Sequence, residues 1–228
     1  MASMLAGMLA PWQASALDAL ATLMLITTAV IALTRSITLA IKTYIVQACI
    51  LVTMFAVLGV RYEWFIGWAF SATITKAVIV PWVLLWVVRK TSYVSEKEEP
   101  IISSGAFAFL LLVIYAFSGA FARHFTTSLQ SLAALGVPSL TSAIALICVG
   151  LSVVTLSRNA VKQILGIILF ENGSHITLAC IAFYVPETVE IGIVSDAVVL
   201  VVVLSVLAYR LVRIRGDMDV SKLTVLRG

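Results

Sequence analysis

The sequence predicts an all-α integral membrane protein with seven transmembrane helices, its N-terminus outside and its C-terminus cytoplasmic. Composition is the first reason: the chain is 62% hydrophobic and 11% charged, with a mean hydropathy of +1.12, whereas about a quarter of a soluble domain is charged. The second is the form of the apolar runs, which are about 20 residues long and lack the alternation of about ten residues seen in barrel strands. The third is the placement of charge. With seven spans, one side receives Arg35, Lys42, Arg89, Lys90, Lys97, Arg158, Lys162, Arg210, Arg213, Arg215, Lys222 and Arg227, and the other receives Arg61 and Arg123. By the positive-inside rule the basic side is cytoplasmic. Six or eight spans would scatter these residues over both faces.

The expected spans are Ser15 to Leu33, Thr38 to Val60, Trp64 to Val88, Ile101 to Phe121, Pro138 to Leu156, Gln163 to Tyr184 and Thr188 to Tyr209. The longest connections are Arg89 to Pro100, with its mixed-charge run, and Ala122 to Val137, rich in Ser, Thr and Gly. Neither is long enough to form a separate domain. Met1 to Pro11 has no Lys or Arg, so no cleavable signal peptide is expected and the first span is retained. Trp64, Trp68, Trp82 and Trp86 sit near the ends of the third span and read as interfacial anchors, with packing as the alternative for Trp68 and Trp82.

Several functions are disfavoured. Net charge is +4, but the basic residues mark span ends instead of forming an aromatic-interleaved patch, so nucleic acid is not an expected partner. Cys49, Cys148 and Cys180 stand singly on apolar segments, with no spacing suited to zinc, haem, nickel or an iron-sulfur centre. No cofactor and no catalytic centre are expected in this chain. Any redox metal belongs to another subunit.

The informative residues are the ionisable ones within spans. Lys76, Glu171 and Asp196 each lie near the middle of an apolar stretch, where a charge costs about 2.5 to 3.5 kcal/mol on insertion scales. They must be paired, neutralised or used. At 1.5 Å per residue, Lys76 and Glu171 both fall about 12 Å from the cytoplasmic edge, and Asp196 and His175 both fall about 18 Å from it. Glu171 and His175 are spaced i,i+4 and share a helix face, so Glu171, His175 and Asp196 can form a ladder. A carboxylic acid so placed has its neutral form favoured by desolvation and its charged form by a nearby Lys or His, as a proton relay requires. Pro81 lacks the backbone donor for the carbonyl of Ala77, which is expected to kink or loosen the third span beside Lys76 and admit water.

Blander readings stand beside these. A Lys76–Glu171 pair also serves as static glue between helices, a lysine's stem can snorkel to a polar neighbour, and a lone histidine often bonds a carbonyl or serine. Glu187 and Glu190 are expected to be solvated at the outer edge, and Lys42, Arg61 and Arg89 to mark span ends.

From Arg158 onward the chain carries an ordered set of segments. These are Ser157-Arg158-Asn159, Phe170-Glu171-Asn172-Gly173-Ser174-His175, Pro186-Glu187-Thr188-Val189-Glu190-Ile191-Gly192, Ser195-Asp196-Ala197, Met218-Asp219-Val220 and the ending Leu226-Arg227-Gly228. Together with Thr73-Ile74-Thr75-Lys76-Ala77-Val78-Ile79-Val80-Pro81, this set resembles the hydrogenase-4 component E family. The last three spans are more distantly similar to the K subunit of respiratory complex I and to the C subunit of multisubunit antiporters. Glu171 matches the first intramembrane acid of that unit, and Asp196 falls where the complex I subunit has glutamate.

The resemblance implies residues 1–134 as a four-helix N-terminal extension and 135–228 as a K-like three-helix unit with a short cytoplasmic tail. It further implies a multi-pass, non-catalytic subunit of a group 4 [NiFe] hydrogenase or formate-hydrogenlyase-like complex in the cytoplasmic membrane. Its partners would be antiporter-like subunits, the membrane subunit that anchors the hydrogenase arm, and the bilayer. Nickel-iron and iron-sulfur centres would lie in partner subunits. Proton transfer would run through Glu171, Asp196, Lys76 and His175, with protons as the ion and sodium as the alternative. An independent secondary transporter is a competing function, although no internal repeat or matched pair of broken helices is evident. A purely structural anchor is a third.

Overall fold

A computed structural model describes residues 9–91, 101–128, 135–181, 187–216 and 218–220, with side chains of 187–197 and 215 outside the description. The described residues form helices joined by short connections, with one isolated antiparallel bridge between Asn159 and Asp219. The helices are α1 (Pro11–Leu33), α2 (Ile37–Gly59), α3 (Trp64–Ala72), a π-helical segment (Thr73–Ile79), α4 (Val80–Lys90), α5 (Ser104–Ser128), α6 (Gly136–Leu156), α7 (Ala160–Ile181) and α8 (Glu187–Arg215). α3, the π segment and α4 form one continuous rod.

Six rods among the described residues are long and apolar enough to cross a membrane: α1, α2, Trp64–Lys90, α5, α6 and α7. α8 is the longest helix, at 29 residues.

Local chemistry sets the ends. Pro11 opens α1, where its missing N–H would have had no intrahelical partner. The Ser36 hydroxyl accepts from Leu39 N–H at 3.3 Å and caps α2. Asn159 Oδ1 accepts from Val161 N–H at 2.9 Å and starts α7. Long-range bonds gather one set of helix ends: Arg35 Nη2 donates to Ser104 Oγ at 3.0 Å, Ile101 N to Leu156 O at 3.3 Å, and Lys162 Nζ to Thr34 O. At this basic end Ala160 N donates to Met218 O at 3.2 Å and Val220 N to Arg158 O at 3.0 Å. Two segments some 60 residues apart, Ser157-Arg158-Asn159 and Met218-Asp219-Val220, are thereby joined.

α6 and α7 make the closest helix pair. A Cβ on Gly166 would stand 2.8 Å from the carbonyl oxygen of Gly150, and one on Gly173 would stand 2.6 Å from that of Ala143. The backbones touch there, as small residues permit when van der Waals packing drives helix association in lipid. The bundle's apolar interior falls into two clusters. One holds Ile31, Ala48, Val80 and Leu169, and the other Met24, Leu51, Ala72 and Ile176. Between them, on the first three rods and on α7, lie the buried polar residues Thr28, Gln47, Lys76, and Asn172 with His175. Trp68 is buried against Phe55 and Phe65, with ring centroids 5.5 and 5.0 Å away, so it packs. Trp82 faces outward at 69% exposure.

Gly173→Leu forces a side chain into the Ala143 backbone. We expect a loss of at least about 3 kcal/mol, the upper range for overpacking, seen as a lower melting temperature and a broadened size-exclusion profile of the detergent-solubilised chain. Gly105→Leu, where an added Cβ meets nothing within 4 Å, is the control and leaves both unchanged.

Candidate functional site

The middle layer converges on the Lys76 ammonium. Its Nζ lies 3.0 Å from Glu171 Oε1 as an ion pair, donates to Asn172 Oδ1 at 2.8 Å and lies 2.9 Å from His175 Nδ1. Lys76 and His175 are 2% and 1% exposed, and Asn172 is fully buried. The Glu171 side chain is 14% exposed. The acid is thus the rim of the cluster, with Phe170, 39% exposed, beside it. Residues 171, 172 and 175 share one face of α7, since i,i+3 and i,i+4 positions are helix neighbours, and the close contact with α6 occupies Gly166 and Gly173 on another side.

Lys76 is delivered by an irregular backbone. In an α-helix Pro81 would leave the carbonyl of Ala77 without a donor. Here the rod runs in π register from Thr73 to Ile79, and Val80 N–H bonds Thr75 O, five residues back. The next bond in that register would join residue 81 to Lys76 O, and a proline cannot donate it. The Tyr44 hydroxyl donates to Lys76 O instead, at 3.1 Å. A side chain from α2 thus serves the Lys76 carbonyl at the point where Pro81 interrupts the π register. A π bulge of this kind often marks a functional site.

The heavy-atom positions accept more than one proton placement. With Lys76 as an ammonium, His175 Nδ1 is an acceptor and Nε2 carries the ring proton. With a proton on Nδ1, the ring donates to Glu171 O, 3.2 Å away, and a neutral Lys76 amine accepts. His175 Nε2 and Asn172 Nδ2 are buried without a partner among the described residues. On α2, one turn beyond Tyr44, Gln47 Nε2 donates to Thr28 Oγ1 at 2.8 Å, and Thr28 donates to Met24 O at 2.6 Å. The polar layer thus reaches from α7 to α1.

Lys76, Glu171 and His175 are brought together. Asp196 lies on α8, and its side chain is outside the described residues, as are those of Glu187 and Glu190. The sequence argument missed Asn172, Tyr44 and Gln47 as members of the site. A signal existed for each: Asn172 stands i,i+3 from His175, and Tyr44 and Gln47 form an i,i+3 polar pair within an apolar span.

A bundle of bilayer-length helices around a buried, charged polar layer defines a multi-pass membrane protein. The chain belongs to the hydrogenase-4 component E family. It is 34% identical over 212 residues to hydrogenase-4 component E of Escherichia coli, covering 92% of this chain and 96% of that one, and equally similar to hydrogenase-4 component E of Shigella flexneri. An uncharacterized protein of Mycobacterium tuberculosis is 28% identical over 152 residues, 67% of this chain and 68% of its own. Residues 138–228 match the family model of NADH-ubiquinone/plastoquinone oxidoreductase chain 4L. No solved structure matches.

Tyr44→Phe removes the donor to Lys76 O while keeping the ring. Losing this buried hydrogen bond costs about 1 kcal/mol, so thermal unfolding of the purified chain should shift downward. Tyr209→Phe, a change away from this contact, should not shift it.

Proposed function

We propose that this chain is a non-catalytic membrane-arm subunit of an energy-converting hydrogenase or complex I-like assembly, relaying protons laterally through intramembrane groups. The observation that carries the reading is the Lys76 ammonium, sealed from solvent and within 3.0 Å of both a carboxylate and an imidazole. A proton on Lys76 can pass to Glu171 or to His175 Nδ1 over hydrogen-bond distances. His175 has a second nitrogen, buried without a partner among the described residues, and Asp196 is the acceptor proposed for it. Glu171, at the cluster's rim, is the group placed to exchange protons with a neighbouring subunit.

In this reading α8 is a seventh span, the N-terminus is outside and the basic end is cytoplasmic. Residues 1–134 form an extension and 135–228 a K-like unit. Antiporter-like subunits and the subunit anchoring a hydrogenase arm are the partners, in the cytoplasmic membrane. Redox metals stay in the peripheral arm, and protons are the ion.

The dense coordination of Lys76 also favours a second reading, a static clamp that fixes the third rod against α7. The two separate in the assembled complex. In inverted membrane vesicles, Glu171→Gln and Asp196→Asn should each lower redox-driven proton translocation at least tenfold while the complex still assembles. Pumping that persists at the parental ratio to turnover in both variants leaves the clamp. A related expectation concerns topology: an extracellular, membrane-impermeant thiol reagent should label a cysteine introduced at Ser3 and not one introduced at Lys222.

A further inference from the structure

α1 and α5 are held together by two polar contacts and stand apart between them. At the basic end Arg35 Nη2 donates to Ser104 Oγ at 3.0 Å, and deeper in, Tyr115 OH donates to Leu25 O at 2.7 Å. Between these ties the Thr22 to Thr34 face of α1, with Tyr115 of α5 at one end, forms a shallow, open groove of about 640 Å³ lined also by Leu25, Ala29, Val30 and Leu33. A small cavity of about 20 Å³ adjoins it, shares Leu33 and Thr34, and is lined by Arg35 and Ser104.

We infer that this groove binds one anionic phospholipid, its acyl chain against α1 and its phosphate at Arg35 and Ser104. Length is the first argument. From Thr34 to Leu25 is nine residues, about 14 Å at 1.5 Å each, close to the roughly 15 Å depth of one leaflet. Shape is the second. The groove follows the face of α1, with Tyr115 of α5 alone opposite it at one end, a shallow track that a slender hydrocarbon chain can lie along. Charge is the third: the exposed Arg35 guanidinium and a hydroxyl stand at the mouth, and the Lys162 ammonium donates to the carbonyl of Thr34 beside it. Such a lipid would fill the gap between two otherwise loosely packed helices.

The test is native mass spectrometry of the full chain, released from detergent with equimolar dioleoylphosphatidylglycerol and dioleoylphosphatidylcholine. One retained lipid per chain is expected, with the anionic lipid favoured about fivefold, the preference conferred by one basic residue near a lipid surface. Arg35→Gln should bring that preference close to one. Ala29→Trp, which fills the groove from its exposed side, should reduce retention of both lipids, and Val30→Trp does the same if Ala29→Trp fails to yield folded chain. Equal retention of the two lipids by the parent chain, retention unchanged in the tryptophan variants, or a partner helix lying in the groove of the assembled complex would each overturn the inference. None of these outcomes bears on proton transfer through Glu171.

Discussion

The structure depends on where the Lys76 ammonium is placed. A charged amine with 2% exposure, in the middle of an apolar bundle, fixes what must surround it. It needs an anion, oriented acceptors and a backbone able to deliver it, and these come from different helices: Glu171, Asn172 and His175 from α7, and the hydroxyl of Tyr44 from α2. Replacing one member of such a pair leaves an uncompensated charge, a loss of about 3 to 5 kcal/mol. The arrangement is therefore cooperative. The close α6–α7 contact at Gly166 and Gly173 matters because it fixes the rotation of α7, and so the direction in which three polar side chains point.

The π segment and the proline form one device. Pro81 lacks the donor that the π register would aim at the carbonyl of Lys76, and the Tyr44 hydroxyl donates to that carbonyl. The residue that carries the charge is thus tied at both ends, by its ammonium to α7 and by its carbonyl to α2. In a regular α-helix the donor that Pro81 lacks would be the one for the carbonyl of Ala77, one residue further along. Irregular backbone inside a membrane is tolerated where neighbouring helices satisfy the freed groups, and the third rod meets that condition.

The cluster also joins the two parts of the chain. Residues 138–228 match the chain 4L family model, and Lys76 lies outside that match. Glu171, Asn172 and His175 lie within it. A three-helix unit alone would hold the carboxylate without its lysine, and the N-terminal helices alone would hold a lysine without a counter-ion. The layer continues through Gln47 and Thr28 to α1, between two apolar clusters that seal it from both ends of the bundle.

Much of this was legible in residue order. Span length and apolar content located the helices, because the bilayer admits few alternatives, although α5 runs to Ser128 and α8 to Arg215, seven and six residues past the expected ends. Of the residues assigned to the basic side, Arg35, Arg158 and Lys162 meet at one set of helix ends. Depth counting at 1.5 Å per residue put Lys76 and Glu171 on one level, and Pro81 announced a backbone defect nearby. The resemblance carried by the segments around Glu171 and Asp196 named the family. Tertiary structure decided what depends on azimuth, which a count along the chain does not encode: that Lys76 turns toward α7, that Asn172 and His175 share its ammonium, and that Tyr44 caps its carbonyl. It also decided the π register of the third rod, which the proline alone does not encode.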